Sequence, residues 1–443
     1  MCFFTVSEQN SITHNKLFII LGRFLMKKTE NIIGFAVLIL GIVLGYAFLK
    51  TQMLFFRWMI GIGIGYVLTR AFFGFAGSVN RAFRTGSTKL MRTLMLMFTV
   101  TAILTASFLI FGDPKAFKLS VHPINLGLVL GGLLFGFGMS LCSCCASGSL
   151  TDIVTGLPRA AVTLFFMCLG VFLGFPFQAK ASWVKDSVIS TGSHKGVFIP
   201  DWFSSDGKGG YLGAILVTVL FASIVSVLSY MYERKRKNEN SFSGVGDERA
   251  QDEVQQLDTK NYKFFSKENY EHIFSKPWSL GTGAFAFAVL FTLLMGVTKS
   301  GWGVSTPFGF WFGKLLYVFG VSAESLAEFT GKTPEFFSGA VFANGGSVQD
   351  IGIIFGTLVC LLLAGTFTKT FKSELKITFM DVIVFAVGGF TMGLGTRLAN
   401  GCNAGALYTP IANFSLSGWL YLIVVTSGGI LGNILLKKMK RIG

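Results

Sequence analysis

Ten long apolar runs constrain this chain more than any other feature of its sequence. They lie near residues 32–49, 53–76, 92–111, 124–141, 159–177, 211–232, 280–297, 347–367, 378–398 and 416–436. An α-helix needs about 20 apolar residues to cross the hydrocarbon layer of a bilayer. The runs predict an all-α, polytopic membrane protein with a lipid bilayer around it. Whether 32–76 makes two crossings, or one crossing and a re-entrant segment, stays open.

Composition agrees with a membrane protein. Of the 443 residues, 52% are hydrophobic and 14% are charged, whereas soluble proteins are roughly a quarter charged. The net charge of +16 arises from basic residues at the ends of the apolar runs. That distribution is typical of loops that face the cytoplasm and anionic lipid. We therefore expect no nucleic-acid partner, although the chain is basic.

A polar segment at 233–277 divides the chain into two membrane regions. It begins with the basic string Glu233-Arg-Lys-Arg-Lys237, which predicts a cytoplasmic position. We expect this linker to join a first membrane repeat with its connecting helix, 26–232, to a second membrane repeat, 278–443. Residues 1–25 precede Met26-Lys-Lys, which resembles a bacterial start, and are interpreted as a doubtful N-terminal leader.

The charged loops predict the orientation of the two membrane regions. The basic stretches 81–92, 369–376 and 437–441 are expected in the cytoplasm, and the acidic stretch 321–345 is expected outside. This works in the second region only if 306–320, which carries Lys314 at its middle, dips into the bilayer and returns. We therefore predict a short re-entrant segment there.

The most informative pattern is an internal repeat at an offset of 257 residues. The run 131–150 aligns without gaps on 388–407, with eight identities in twenty positions, and Cys145 falls on Cys402. By the charge argument, the helices before these two cysteines run in opposite directions. The pattern predicts two inverted helical repeats with short re-entrant helices around a central pathway, a common plan of secondary transporters.

Glycines accompany both cysteines. Gly148 and Gly405 follow them by three residues, where we expect a tight turn of a hairpin. The glycine pairs at 131–132 and 388–389 are interpreted as helix-packing positions, because small residues let membrane helices approach closely.

The thiols indicate the chemistry of the solute. Cys168 and Cys360 are interpreted as inert filler in apolar helices, and Cys2 lies in the doubtful leader. Cys145 and Cys402 occupy equivalent places in the two repeats, and their soft, polarizable thiols suit a soft sulfur atom better than a hard oxyanion.

The Cys142-x-Cys144-Cys145 cluster leaves two other readings open, a soft-metal site and membrane thiol–disulfide exchange. The matching run of the second repeat, 388–407, has Cys402 alone, and no His lies near either motif along the chain. We therefore expect no metal and no cofactor. The chain contains no Gly-x-x-x-x-Gly-Lys-Ser/Thr string, so ATP hydrolysis and enzymatic activity are not expected.

Ionisable residues inside or beside apolar runs are costly and often functional. Arg70, Lys314 and Arg397 are hypothesised to steer an anion. Asp152 and Asp381 are hypothesised to carry protons. For each of the five, a position at the membrane interface is an equally good interpretation.

Four strings resemble the YeeE/YedE family of bacterial sulfur-transport membrane proteins. They are GGFTMGLGTRLANGCNAGALY at 388–408, GMSLCSCCASGSL at 138–150, RAFFGFAGSVNRAFRTGSTKL at 70–90 and GWGVSTPFGFWFGKLLYVFGV at 301–321. The resemblance extends over about residues 30–440. It implies a multi-pass protein of the bacterial inner membrane whose inverted repeats form an hourglass-like path.

The resemblance also implies a function and a set of residues. Family members take up thiosulfate through cysteines at constrictions, which by motif match are Cys145 and Cys402, and Asn403 follows in the same string. Gly74 stands where the family has a further cysteine. We expect uptake of a small sulfur anion, thiosulfate, with a selenium compound or another solute as one alternative and a membrane thiol–disulfide redox protein as the other. A small cytoplasmic sulfur-carrier protein is an implied partner.

Overall fold

The computed structural model describes residues 28–206, 209–254 and 263–440, and the interpreted leader at 1–25 lies outside them. Within these ranges the protein is helical and no strand is formed. The helices of ten residues or more are α1 (Lys28–Phe48), α2 (Gln52–Arg70), α3 (Phe75–Thr85), α4 (Lys89–Phe111), α5 (Leu126–Cys142), α6 (Ala146–Thr155), α7 (Leu157–Lys180), α8 (Tyr211–Asn238), α9 (Leu280–Thr298), α10 (Ser305–Val318), α11 (Gly345–Ala364), α12 (Phe379–Leu398) and α13 (Leu416–Lys438).

Ten segments of the described chain are long and apolar enough to cross a membrane. Each corresponds to one of the ten apolar runs, so the prediction of an all-α, multi-pass membrane protein is confirmed. Residues 32–76, for which one or two crossings were possible from the sequence, form two separate candidate spans. One is Lys28–Phe48 and the other begins at Gln52. Helix α10 has 14 residues, or about 21 Å, which is too short for a full crossing.

Three of the candidate spans are discontinuous. Gln52–Thr85, Leu126–Thr155 and Phe379–Ala412 each contain a long helix, a break and a shorter helical segment. In the third, a π-helical turn at Asn403–Tyr408 leads into a short α-helix at Thr409–Ala412. Broken helices are tolerated within a membrane where they are enclosed by protein, and here each break contains buried residues, although Phe72 and Ser143 are exposed.

Glycines allow the helices around the breaks to pack closely. A methyl group added at Gly138 would lie 2.3 Å from the carbonyl oxygen of Gly388, and one at Gly127 would lie 2.8 Å from that of Leu398. The start of α5 thus lies beside the end of α12, so the two helices are antiparallel. The packing interpretation of 131–132 and 388–389 is confirmed, because all four positions have neighbours within 3 Å of an added Cβ. The inverted relation of the complete halves remains a prediction.

Helix caps explain where several spans begin. The side chain of Asn125 accepts from the N–H of Leu128 at the start of α5, and Asn344 does the same for α11. Thr378 and Asp381 form a capping box at the start of α12. Asp381, hypothesised as a proton carrier, therefore serves as a helix cap.

The polar linker is held against the membrane region by an ion pair and by hydrogen bonds. Its short helix Gly246–Asp252 forms an ion pair between Glu248 and Arg81, with 3.1 Å between the nitrogen and oxygen atoms. Further along, the hydroxyl of Tyr270 donates to the carbonyl of Leu363. The linker thus lies on the same side as the basic stretch 81–92. Arg84, in the last turn of α3, donates to Asn433 near the end of α13, so these basic segments share one side, the predicted cytoplasmic side.

Candidate functional site

Cys145 and Cys402 occupy the same backbone position in two different breaks. Each is the extended N-cap residue of the segment that follows it. Two residues earlier, Ser143 (φ 56°) and Asn400 (φ 60°) adopt the left-handed conformation, which ends the preceding helix. The offset between the cysteines, 402 − 145 = 257, equals that between the turn residues, 400 − 143 = 257.

The tight turns therefore precede the cysteines instead of following them. Gly148 lies inside the first turn of α6 and Gly405 lies inside the π-helical turn, and neither has a positive φ. The expectation of a turn at these glycines was wrong, because a left-handed residue before the extended N-cap already redirects the chain. Gly148 contacts the site nonetheless, since a Cβ there would be 3.8 Å from the sulfur of Cys145.

The break at Gly74 repeats this geometry. Phe72 is left-handed (φ 46°), and Gly74 is the extended N-cap of α3. Two residues later, the backbone N–H of Ala76 faces the sulfur of Cys145. The structure thus brings the predicted Gly74 segment to the Cys145 break.

The sulfur of Cys145 is surrounded by neutral donors. Its Sγ lies 3.4 Å from the hydroxyl of Ser147, and the N–H groups of Gly148 and Ala76 also face it. Two of these donors come from the first turns of α6 and α3, where unpaired N–H groups and the helix dipole favour negative charge. Cys145 is 2% exposed, so these donors act in a dry environment.

The sulfur of Cys402 lies among ionisable side chains. Arg397 and Asp350 are both close enough to interact with it electrostatically. Next to it, the amide nitrogen of Asn403 donates to the sulfur of Met139 over 3.2 Å, while the amide oxygen has no hydrogen-bond partner in the described chain. Cys402 is 1% exposed.

Tyr421 links the two cysteines. Its ring is fully buried, and it lies within electrostatic range of both Cys145 and Cys402. Its hydroxyl has no hydrogen-bond partner within the residues that the structure describes. Cys145 and Cys402 also interact with each other. Both thiols are therefore buried within the protein, and neither is turned toward lipid.

Arg397 is a buried cation that is held by neutral groups. Its guanidinium donates to the hydroxyls of Ser305 (2.6 Å), Thr306 (3.2 Å) and Thr396 (3.2 Å) and to the amide oxygen of Gln178 (3.4 Å). No carboxylate of the described chain forms an ion pair with it, although it is only 3% exposed. A buried charge is normally paired, so this positive charge is available to an anion.

The other two predicted anion-steering residues lie elsewhere. The ammonium of Lys314 donates to the carbonyl of Ser338 and stacks on Tyr317 of its own helix, so the structure does not bring it to the thiols. Arg70 donates to the carbonyls of Ser275 and Cys360 at 3.0 and 2.7 Å. It also lines a cavity of about 550 Å³ on the basic side of the protein.

Three glycines border open space at the breaks. A Cβ added at Gly74 or Gly303 would meet no atom within 4 Å, and one at Gly405 would meet only the Cα of Gly303, at 3.9 Å. These positions contrast with the packing glycines, which have no such space.

The remaining cysteines have separate surroundings. The thiol of Cys142 donates to the carbonyl of Phe385 over 3.5 Å, and Cys144 lies near the ion pair of Asp152 with Arg159. Asp152 is thus occupied by a salt bridge. Within the described ranges the cysteines are free thiols, and no group of three or more His, Cys, Asp or Glu side chains is arranged to hold a metal ion.

Sequence reasoning missed several residues of the site. His122 is far from Cys402 along the chain, yet its Nε2 lies 3.0 Å from the carbonyl oxygen of Gly405, so a His does lie near the second motif in space. Asp350 lies within the apolar run 347–367 and was not singled out. An acidic residue inside such a run is itself a signal of function.

This arrangement provides soft thiols, neutral donors and one unpaired cation in a buried region, which together suit a small anion that contains sulfur. A family model described as Sulphur transport matches residues 70–431. The chain belongs to the Sulphur transport family.

Relatives of this Sulphur transport protein include two probable transporters named YedE. The protein from Escherichia coli (strain K12) is 31% identical over 157 residues, and that from Salmonella typhimurium is 28% identical over the same length. Each match covers 35% of this chain and 37% of the relative, so the chain spans about a third of the length of these relatives. The thiosulfate transporter TsuA of Spirochaeta thermophila is 23% identical over 383 residues, which are 85% of this chain and 95% of TsuA.

Proposed function

We propose that this chain imports thiosulfate across the bacterial inner membrane and passes it between Cys402 and Cys145. The observation that carries the proposal is the buried guanidinium of Arg397, which has no carboxylate partner within the described residues and interacts electrostatically with the Cys402 thiol. Its positive charge attracts the anion, and the soft thiol contacts the terminal sulfur. The name of the TsuA relative and the length of that match support thiosulfate as the solute.

The order in which an imported anion would meet the two cysteines is inferred from the two ends of the path. Cys402 follows α12, whose last turn packs against Gly127 at the start of α5, on the side opposite the basic loops. Cys145 precedes α6, and the residue that ends α6, Gly156, lies near Glu374 of the basic loop. In this proposal the anion meets Arg397 and Cys402 first, and Cys145 second.

Uptake of radiolabelled thiosulfate by cells that grow on thiosulfate as the sulfur source tests the proposal. Cys402→Ala and Cys145→Ala are each expected to reduce uptake by about tenfold or more, because each removes the thiol at one narrow point. Cys360→Ala is the matched control and is expected to retain uptake, since its buried thiol lies about 15 Å along α11 from Asp350.

The alternatives give different results in the same cells. Unlabelled thiosulfate should compete with the label, and sulfate should not. A selenium anion that competes more strongly than thiosulfate would reassign the solute. A mixed disulfide trapped at Cys145 together with an absence of solute flux would support the thiol–disulfide redox protein and contradict transport.

The predicted sulfur-carrier protein is a partner of the same proposal. It would receive sulfur at the basic side of the protein, where Gly156 at the end of α6 lies near Glu374. Co-purification of a small cytoplasmic sulfur carrier with the full chain tests the partner. Recovery of the chain without it after mild cross-linking would contradict it.

A further inference from the structure

Asp350 is the least compensated charged residue of the buried region. It lies in the second turn of α11, is 0% exposed, and neither carboxyl oxygen has a hydrogen-bond partner within the described residues. An isolated carboxylate is very costly to bury, so such a place favours the neutral acid as long as it stays dry and without a partner. Evolution seldom retains this cost without a use, and ionisable groups inside membranes often belong to ion or proton pathways.

The neighbours of Asp350 connect it to the thiol path. The titratable groups close enough to interact with it electrostatically are the thiols of Cys402 and Cys168. The chain neighbour of Asp350, Gln349, accepts a hydrogen bond from Nη1 of Arg57 over 3.1 Å. Arg397 also interacts electrostatically with Cys402 and has no carboxylate partner within the described residues. It donates to Ser305 at the start of α10, and the start of α11 packs against Pro307 of the same helix, so Asp350 and Arg397 lie on elements that meet near this thiol.

Other ionisable groups near α11 are directed elsewhere. The elements packed against this helix are α1, α2, α6, α10 and the turns or short helices at 271–275, 341–343 and 367–373. Their titratable side chains are Lys28, Glu30, Tyr46, Arg57, Tyr66, Arg70, Asp152, Glu271, His272, Lys314, Tyr317, Lys369 and Lys372. None of these interacts electrostatically with Asp350. The protonation of Asp350 is thus governed by the solute and the thiols.

We propose that Asp350 binds a proton together with the anion at Cys402, so that uptake is proton-coupled. This inference rests on the proposed function. The neutral acid donates its O–H to the anion that Arg397 attracts, whereas the ionised carboxylate would repel the anion. Because anion binding and protonation favour each other, each increases the affinity for the other by the same factor.

The proton follows the anion without any covalent step. Asp350 takes a proton from water on the side of the acidic loop 321–345, which precedes α11. When the anion moves on toward Cys145, the hydrogen bond is lost and water from the basic side enters the space it leaves. The carboxyl group is then hydrated and releases its proton to that water. No bond of the solute breaks, and one proton accompanies each anion that passes Cys402.

Purified full-length protein in proteoliposomes tests the proposal through two readouts. With acid outside, one pH unit of gradient is expected to raise thiosulfate accumulation by up to about tenfold per proton carried. A pH-sensitive dye in the lumen is expected to report acidification when thiosulfate enters. Asp350→Asn keeps the shape and a neutral donor, so exchange of internal for external thiosulfate should continue while the response to the gradient and the dye signal are lost.

The control is Asp186→Asn, which changes an exposed aspartate in a loop and should behave as the wild type in every assay. An Asp350→Asn protein that retains the response to the gradient and the dye signal overturns the proposal. If Asp350→Asn does not fold, the wild type decides alone, since thiosulfate entry without acidification of the lumen also overturns it. Wild-type liposomes that exchange no thiosulfate overturn the proposed function itself, and the coupling with it.

Discussion

At Cys145 the sulfur is surrounded by neutral donors, whereas at Cys402 two buried ionisable side chains interact with the sulfur electrostatically. Both cysteines are extended N-caps preceded by a left-handed residue, and both are almost fully buried. The backbone is therefore repeated, while the electrostatics are not: Ala76 and Ser147 face the first sulfur, and Arg397 and Asp350 approach the second.

The difference indicates how two sites with the same backbone geometry, here called the Cys402 station and the Cys145 station, contribute differently to transport. A conducting path must bind its solute well enough to admit it and weakly enough to release it. In the proposed function, the charge at Cys402 concentrates the anion, and the neutral donors at Cys145 hold it less strongly before release. If the comparison is correct, substitutions at the two stations change uptake in different ways.

The largest effect is expected from Arg397→Gln. A hydrogen bond to a charged group contributes about 1.5–3 kcal/mol, so the apparent KM for thiosulfate should rise about 10- to 100-fold. Arg397→Lys should restore part of the loss, because it keeps the charge without the planar fork. Concentration-dependent uptake measures both.

Arg70→Gln is the matched control for that experiment. Arg70 binds the backbone carbonyls of Ser275 and Cys360, so its loss should lower the Tm and leave the KM close to that of the wild type. An Arg397→Gln protein with an unchanged KM, or an Arg70→Gln protein with the larger rise, would reverse the assignment of the two arginines.

A smaller effect is expected from Gly74→Cys, which adds a thiol beside the neutral station. Gly74 is extended and a Cβ there meets nothing within 4 Å, so the folded protein should lose less than about 1 kcal/mol of stability. Uptake should equal or exceed that of the wild type, because the new thiol extends the series of soft contacts. Thermal unfolding and uptake are the measurements.

Gly61→Cys, in the same candidate membrane span, is the variant to compare with Gly74→Cys. Its Cβ would lie 2.3 Å from the carbonyl oxygen of Gln349, and overpacking of this kind costs about 1–3 kcal/mol. A folded Gly74→Cys protein whose uptake falls about tenfold would mean that the open space at Gly74 must stay empty.

The sequence predicted those features that depend on short stretches of consecutive residues. The spans follow from the length of apolar runs, and Cys145 and Cys402 from a self-match that keeps both the cysteine and its glycines. The left-handed residues at Ser143 and Asn400 were not expected, because neither is a glycine and the bend was assigned to the glycines that follow.

The rest of the site depends on contacts between distant segments. Arg70 and Arg397 look alike in the sequence, since each lies near the end of an apolar run, and only packing directs one to backbone carbonyls and the other to the hydroxyls of Ser305 and Thr306. His122 and Asp350 come from a loop and from α11, which approach Gly405 and Cys402 through tertiary structure alone. No periodic pattern in the sequence predicts contacts between segments that are so far apart in the chain.

The most direct test of the central claim, that both thiols border one anion path, is protection of single-cysteine variants from a small maleimide. Chains that keep only Cys145, only Cys402 or only Cys360 are labelled with and without thiosulfate. At thiosulfate ten times its Kd, labelling of Cys145 and of Cys402 should slow by about tenfold, while Cys360 is unaffected. Unchanged labelling at both Cys145 and Cys402, or equal protection of Cys360, would contradict the account.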